Sequence, residues 1–458
     1  MESIARADPR TSARARLVSG IEKSDLPQYV YSYPSKRAYR HLAPNRTIER
    51  LWQNCPQTLN LYVHIPFCRY RCGFCTLFLL TAPADDVVQK YISALKRQIE
   101  MYGRLLGSAQ IVSLYIGGGT PTLLPSSVFD DLFHTLRTAF PRWKDSAEIS
   151  VEGTPETMQP ELLRSLKDWS VNRISMGLQT LNDDERRAIG RQHNRETVDA
   201  AVRAIDCVGF DNVNYDLIYG LEGQTFESWL HSLRTTVEFC PCTITIYPVI
   251  FRKLATIAKR KEQWAARFPT NISKYAFYDK SVDFLLEHRF KQNTFVRFST
   301  CQDDGLKQEV ADFSGVPLLG LGAGSRSYND AVHYGTDFAV HRDRSNAIIH
   351  EFTQCEHRPD RVPDVGFIMD DDERRRRFCI LNLSLGQVES AAYSTRFGRR
   401  IQDDFGEELD ALQSEGCVRF EETGVYSLTR KGFRHSNIIA TLFQSQRVTD
   451  LEQQYHPV

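Results

Sequence analysis

The sequence has no net charge, no long apolar run and no wealth of cysteine, and each shortage excludes a class of protein. Lys+Arg and Asp+Glu balance at 57 each over 458 residues. No global field therefore draws the chain to nucleic acid or to an anionic membrane surface. No apolar stretch approaches bilayer-spanning length. The N-terminal segment MESIARADPRTSARARLVSG carries arginines but also acids, and it has no apolar core, so it does not read as a secretory signal. The expectation is a cytoplasmic chain whose thiols stay reduced. Its 11 cysteines are odd in number and scattered, which argues against a disulfide framework. There is no low-complexity tract. What remains is 41% hydrophobic and 25% charged, the mix of a globular fold, in a chain long enough for two or three domains.

One place breaks the scarcity of thiols. YVHIPFCRYRCGFCTLF, from Tyr62 to Phe78, gathers Cys68, Cys72 and Cys75 straight after a strand-like run. The spacing Cys-x3-Cys-x2-Cys is neither the paired pattern of a zinc site nor a lone redox Cys-x-x-Cys. Three thiolates in one loop can hold three irons of a 4Fe–4S cluster and leave the fourth open to a non-protein ligand. His64 is read as a packed or hydrogen-bonded residue rather than a metal ligand.

Strand-like and helix-like stretches alternate from about residue 61 to 250. LYVHI leads into the cysteine loop. Val88, Ile92, Leu95, Ile99, Tyr102 and Leu106 then fall on one helical face. VSLYIGGGTPT, AEISVEG, VNRISMGLQ, VNYDLIYGL and TITIYPVI read as further strands, with helices such as Thr197 to Val208 and Thr225 to Phe239 between them. Six βα units imply a parallel sheet closed as a partial barrel, with its chemistry at the strand C-termini. The unusual residues fall there: the cysteines, then Gly117-Gly118-Gly119, Glu152, Gln179 and Asp216. The expected organisation is an N-terminal arm (1–55), the barrel (56–330), a polar Pro-punctuated linker (331–369) and a winged-helix-like α+β domain (370–458). The wing is CVRFEETGVYSLT, turning near Thr423-Gly424.

The cysteine spacing and the glycine turn after the next strand resemble the radical S-adenosylmethionine (SAM) enzymes. That resemblance implies a 4Fe–4S cluster on Cys68, Cys72 and Cys75, with SAM chelated at the open iron and cleaved to a 5′-deoxyadenosyl radical. It also implies an electron donor such as a flavodoxin or ferredoxin. A narrower resemblance covers nearly the whole chain: YVHIPFC, GGGTPT, RISMGLQTLNDDERRAIGRQH and DLIYGLEGQT look like oxygen-independent coproporphyrinogen III oxidase and its relatives, and YSYPS resembles their N-terminal arm. In that family two SAM molecules bind side by side. The resemblance implies Tyr62, Gly118 and Glu152 at the first, with Tyr62 also the candidate catalytic residue. It implies Phe74, Gly119, Thr120, Gln179, Arg191 and Asp216 at the second, with Ile250 and Arg326 on weaker motifs.

Two departures direct the expected reaction. Leu77 stands where the oxidase carries a further cysteine, and YPVIFRKLATIAKRK differs from the oxidase. The latter region looks more like the class C radical SAM methyltransferases, which include cyclopropane-forming enzymes. The leading expectation is therefore methyl or methylene transfer to an unsaturated or aromatic secondary metabolite, in antibiotic-type biosynthesis and with a possible partner methyltransferase. The alternatives are oxidative decarboxylation of a porphyrinogen, for which Arg252, Lys253 and Arg326 are candidate carboxylate partners, and haem trafficking. FVRFSTCQDDGLKQEV lacks the His-Asn-x-x-Tyr-Trp motif of the haem chaperones.

Overall fold

The computed structural model describes residues 12–24, 28–252, 255–300, 306–336 and 338–455. Tyr39–Phe268 and Thr300–Ile368 form one compact unit; Met1–Ala38, Pro269–Ser299 and Met369–Pro457 form another.

The first unit is built on β1 (Thr58–Ile65), β2 (Gln110–Gly118), β3 (Trp143–Gly153), β4 (Arg173–Gln179), β5 (Asn212–Tyr219) and β6 (Thr243–Pro248). Each pairs parallel to the next. Helices follow the strands at Asp85–Leu106, Ser126–Ala139, Pro160–Asp168, Arg195–Val208, Phe226–Glu238 and Thr256–Gln263. In Asp85–Leu106 the buried set includes Ile92, Leu95, Ile99, Tyr102 and Leu106, the face read from the sequence. The expected partial barrel of six βα units is therefore present.

The sheet extends past β1. A further strand, β7 (Leu318–Leu321), pairs parallel to it. Then β8 (Arg326–Tyr328), β9 (Val332–Gly335) and β10 (Val365–Ile368) add on antiparallel. Residues 331–369, expected as a linker, thus supply two strands and the helix Arg342–Gln354. Those strands are only 4 residues each, too short to stand out of a polar, proline-marked stretch. Part of the expected arm belongs here too, since Arg40 and Gly366 exchange two backbone hydrogen bonds of 2.8 Å.

The second unit carries the wing. Gln387–Glu389, Val425–Leu428 and Val418–Phe420 make a three-stranded antiparallel sheet, with Val425–Leu428 in the centre. Gly424 takes the left-handed turn conformation at φ +86°. Asp371–Ser384, Ser390–Phe397 and Ile401–Ser414 are its helices, and Pro269–Ser299, expected in the barrel, joins this unit. The YSYPS motif is fixed within it. The Tyr33 hydroxyl donates to Glu373 Oε2 at 2.6 Å and accepts from Ser445 N at 3.1 Å, while Ser445 Oγ donates to Glu373 Oε1 at 2.7 Å.

Among the described residues no helix is long and apolar enough to cross a membrane.

Candidate radical-chemistry site

Alternate residues of a strand face opposite sides of a sheet. One side of β1–β6 is uniformly apolar: Leu61, Val63, Leu114, Ile116, Ile149, Val151, Ile174, Met176, Ile244 and Ile246 are all buried there. The other side is buried as well, yet it is polar. It presents Asn60 and His64, Ser113, Ser150, Arg173 and Ser175, Asn214, then Thr243 and Thr245. Buried polar groups are costly unless partnered, and these are organised. Ser113 Oγ donates to Asn60 Oδ1 at 2.6 Å, Asn214 Nδ2 donates to Ser175 Oγ at 2.9 Å and to Asp216 Oδ1 at 2.8 Å, and Thr245 Oγ1 donates to Asn214 Oδ1 at 2.8 Å. The sequence reading placed the strands but overlooked this wall. Its signal is the alternation itself, as in N-L-Y-V-H-I or S-V-E-G.

At the C-terminal end of β1 the chain turns into the cysteine loop, which is held at several points. Phe67–Cys68 pairs with Leu80–Thr81. Gly73 donates to Ile189 O and accepts from Ile257 N, both at 2.9 Å. Arg71 donates to the carbonyls of Leu77 at 3.2 Å and Leu79 at 3.1 Å. Cys68 Sγ lies 3.3 Å from Thr120 Oγ1. Burial pushes the Cys68 thiol up to about 12, although the Thr120 hydroxyl pulls it down. Burial raises Cys72 and Cys75 too. A bound metal would have to displace those protons, since only the thiolate is a ligand. Among the described residues no three His, Cys, Asp or Glu side chains converge on a single ion. A cluster takes each thiolate on a different iron, and three free thiols on one loop are a donor set that fits it.

The glycine turn lies against this loop. Gly119 N donates to Ile65 O and Thr120 N to Phe67 O, both at 2.8 Å. A Cβ on Gly119 would stand 2.4 Å from Phe67 O, so only glycine fits. Gly118, at φ +119°, donates its N–H to Glu152 Oε2 at 3.0 Å, and Tyr115 donates to Glu152 Oε1 at 2.7 Å. Burial lifts the Glu152 carboxyl to about 7, and Asp216 adds to the rise. Burial likewise lifts Asp216 to about 6, opposed by its Asn214 hydrogen bond. Tyr62 meets His64 Nδ1 at 3.0 Å, while His64 Nε2 is 3.0 Å from Phe78 O. Nε2 therefore carries the proton toward the carbonyl, and Nδ1 accepts from Tyr62. His64, pulled down to about 4 by burial, is the packed, neutral residue the sequence suggested.

Gln179 holds a left-handed φ of +70°, rare outside glycine, where the β4–β5 register shifts. Arg191 is buried, and its Nε has no hydrogen-bond partner. Burial opposes its charge, but Cys72, Tyr70 and Glu156 outweigh that and keep the guanidinium ionised. Tyr70, from the cysteine loop, donates to Glu156 Oε1 at 2.6 Å and accepts from Gln192 N at 3.3 Å. The Tyr70–Glu156 pair was not anticipated; two polar residues flanking separate motifs give no local signal. Phe74 packs against an apolar cluster of Ile189, Ile218, Leu221, Val249, Ala255, Ile257 and Phe268. Ile250 and Arg252 are half-buried just past β6, and Arg326 opens β8. Lys253 lies outside the described residues, as do 301–305 of FVRFSTCQDDGLKQEV.

Residues 62–236 match the family model described as the radical SAM superfamily. That segment holds the cysteine loop and the glycine turn. The chain is 25% identical over 383 residues to the haem chaperone HemW of Bacillus subtilis, covering 81% of this chain and 95% of the relative. It is 27% identical to the oxygen-independent coproporphyrinogen III oxidase of Escherichia coli, covering 82% of each. The solved structure of the Escherichia coli enzyme, described as a radical SAM enzyme, superposes with a TM-score of 0.78 over 91% of this chain and 97% of that one, at 23% identity. The fold is the same.

These relatives overturn the leading expectation of one-carbon transfer in secondary metabolism. They match over most of the chain and are named for porphyrinogen oxidation or haem handling. Leu77, one of the two departures behind that expectation, is 52% exposed. A change at so open a position says little about the polar interior where a substrate would react.

Proposed function

We propose that the chain is a radical SAM enzyme that oxidatively decarboxylates propionate side chains of a porphyrinogen. The observation that separates this reading from haem handling is that FVRFSTCQDDGLKQEV lacks the His-Asn-x-x-Tyr-Trp motif of the haem chaperones. The match to the Escherichia coli oxidase covers 82% of both chains, far beyond the residues 62–236 that radical SAM chemistry alone accounts for. The cluster on Cys68, Cys72 and Cys75, once reduced, would supply the electron that cleaves SAM to a 5′-deoxyadenosyl radical. Removal of a hydrogen atom from the propionate carbon β to the carboxylate, loss of one electron to an external acceptor and cleavage of the bond to the carboxylate then release carbon dioxide and leave a vinyl group.

The protein's share is binding and orientation. Tyr62, Gly118 and Glu152 would face one SAM. Phe74, Gly119, Thr120, Gln179, Arg191 and Asp216 would face a second, with the buried Arg191 guanidinium suited to a carboxylate. Arg252 and Arg326 stand as partners for substrate carboxylates. The test is anaerobic incubation of the reconstituted enzyme with coproporphyrinogen III, SAM and reductant. Vinyl products and carbon dioxide formed in step with 5′-deoxyadenosine are expected. Haem bound stoichiometrically without turnover would instead favour the chaperone reading, which the 95% coverage of the Bacillus relative supports.

A further inference from the structure

The chain is neutral overall, yet between Phe251 and Phe268 it carries six Lys or Arg and a single Glu. Lys259 and Arg267 are exposed, and Trp264 at 41% is among the few large hydrophobic side chains left open. Two guanidinium groups lie near the Trp264 ring, Arg260 at 5.5 Å and Arg267 at 5.6 Å. Both arginines are anchored on Glu222, at 2.7 and 3.1 Å. Lys261 sits 4.1 Å from the Phe251 ring. Exposed tryptophan and arginine held in fixed positions are the residues that dominate protein interfaces.

This surface is joined to the cysteine loop. Ile257 N, in the first turn of the helix that carries Lys259 and Lys261, donates to Gly73 O, between Cys72 and Cys75. The opposite side of Gly73 is held by Ile189 O, and Arg260 Nη1 donates to the neighbouring Ala188 O at 3.2 Å. Phe74 and Phe251 pack on one shared apolar cluster.

We infer that Thr256–Arg267 is the docking surface for an acidic one-electron carrier. The site reacts only after receiving an electron from outside, and this cationic, aromatic face is tied by hydrogen bonds to the loop that would hold the cluster. Complementary charge steers such an encounter and fixes its orientation. One electron leaves the carrier, whose anionic flavin hydroquinone becomes the neutral semiquinone, and the oxidised 2+ cluster becomes 1+. No bond to this chain forms or breaks. The inference rests on the cluster reading, not on the choice of substrate.

The probe is a flavodoxin, tested against Lys259→Glu/Lys261→Glu and, separately, Trp264→Ala. Three quantities are measured: flavodoxin binding at low salt, the rate at which reduced flavodoxin bleaches the cluster, and SAM cleavage driven by dithionite. Iron content, checked first, reports on the cluster independently. Both variants should bind flavodoxin at least tenfold more weakly and accept its electrons at least tenfold more slowly. Added salt should narrow the gap between wild type and the charge-reversed variant. Iron content and dithionite-driven cleavage should match wild type. Unchanged flavodoxin affinity would overturn the inference. So would an equal loss with dithionite, or a raised KM for porphyrinogen with flavodoxin binding intact, which would make the face a substrate surface.

Discussion

Replacing Glu152 by glutamine should change how stability of the ligand-free chain responds to pH. Glu152 is half-buried on the polar wall, and desolvation of its carboxyl raises it to about 7 from an ordinary value of 4.5. A tenfold change in acidity corresponds to about 1.36 kcal/mol, so the folded state favours the protonated acid by about 3 kcal/mol. A raised acid contributes stability that is fully present below the unfolded value and lost as pH climbs through the folded one. The loss therefore runs from about pH 4.5 to just above 7. Glutamine cannot titrate. It can still accept from Tyr115 but not, with its amide nitrogen, from Gly118 N, so it adds a pH-independent penalty of about 1–3 kcal/mol. Asp216, which titrates in both proteins, largely drops out of the comparison. The assay is urea unfolding of metal-free wild type and Glu152→Gln at pH 5, 6, 7 and 8. Wild type should lose roughly 2.5 kcal/mol relative to the variant across that range. Parallel stability curves would show that Glu152 ionises normally and would refute the raised-acid account of the polar wall.

Tyr33→Phe should lower stability by about 1–3 kcal/mol, because it removes a donor from buried Glu373 and leaves Ser445 N without its 3.1 Å acceptor; a melting temperature equal to wild type would refute the role given to the arm motif. Gly119→Ala should abolish iron incorporation, since the added carbon would stand 2.4 Å from Phe67 O; Gly190→Asn, at φ +73° with nothing within 4 Å, should incorporate iron like wild type, and equal iron in both variants would refute the steric argument.

What the sequence made legible was whatever is local. Three thiols within eight residues stand out as a candidate ligand set, and an apolar run with helical spacing announces a helix. Gly119 was visible because GGGTPT is contiguous, although the reason glycine is needed, the Phe67 carbonyl, is 52 residues away. Long-range pairings left no such mark. The Tyr70–Glu156 hydrogen bond spans 86 residues and Tyr33–Glu373 spans 340. The short strands Val332–Gly335 and Val365–Ile368 gain their identity only by pairing with each other and with β8. Leu77 misled for a related reason: one position was weighed by its neighbours in sequence, while its exposure depends on the fold.

The polar wall also sets a cost on the ligand-free fold. A fold stabilised by burial would be expected to keep such positions apolar, yet the strands place the half-buried Glu152 and Asp216 on this wall, where the negative charge of Asp216 adds to the rise at Glu152. Each costs free energy whenever it ionises unpaired. A ligand bearing positive charge, as SAM does at its sulfonium and ammonium, offsets that cost on binding. It binds best to the ionised wall and stabilises the fold in proportion to its affinity. Binding of SAM should then release protons below pH 7, where Glu152 and Asp216 still hold them, and should tighten as pH rises through 6 to 7. Calorimetric titration of SAM in two buffers of different ionisation enthalpy measures that release, and an affinity independent of pH would refute it. On this reading the groups that destabilise the ligand-free chain would be the groups that select a cationic cofactor.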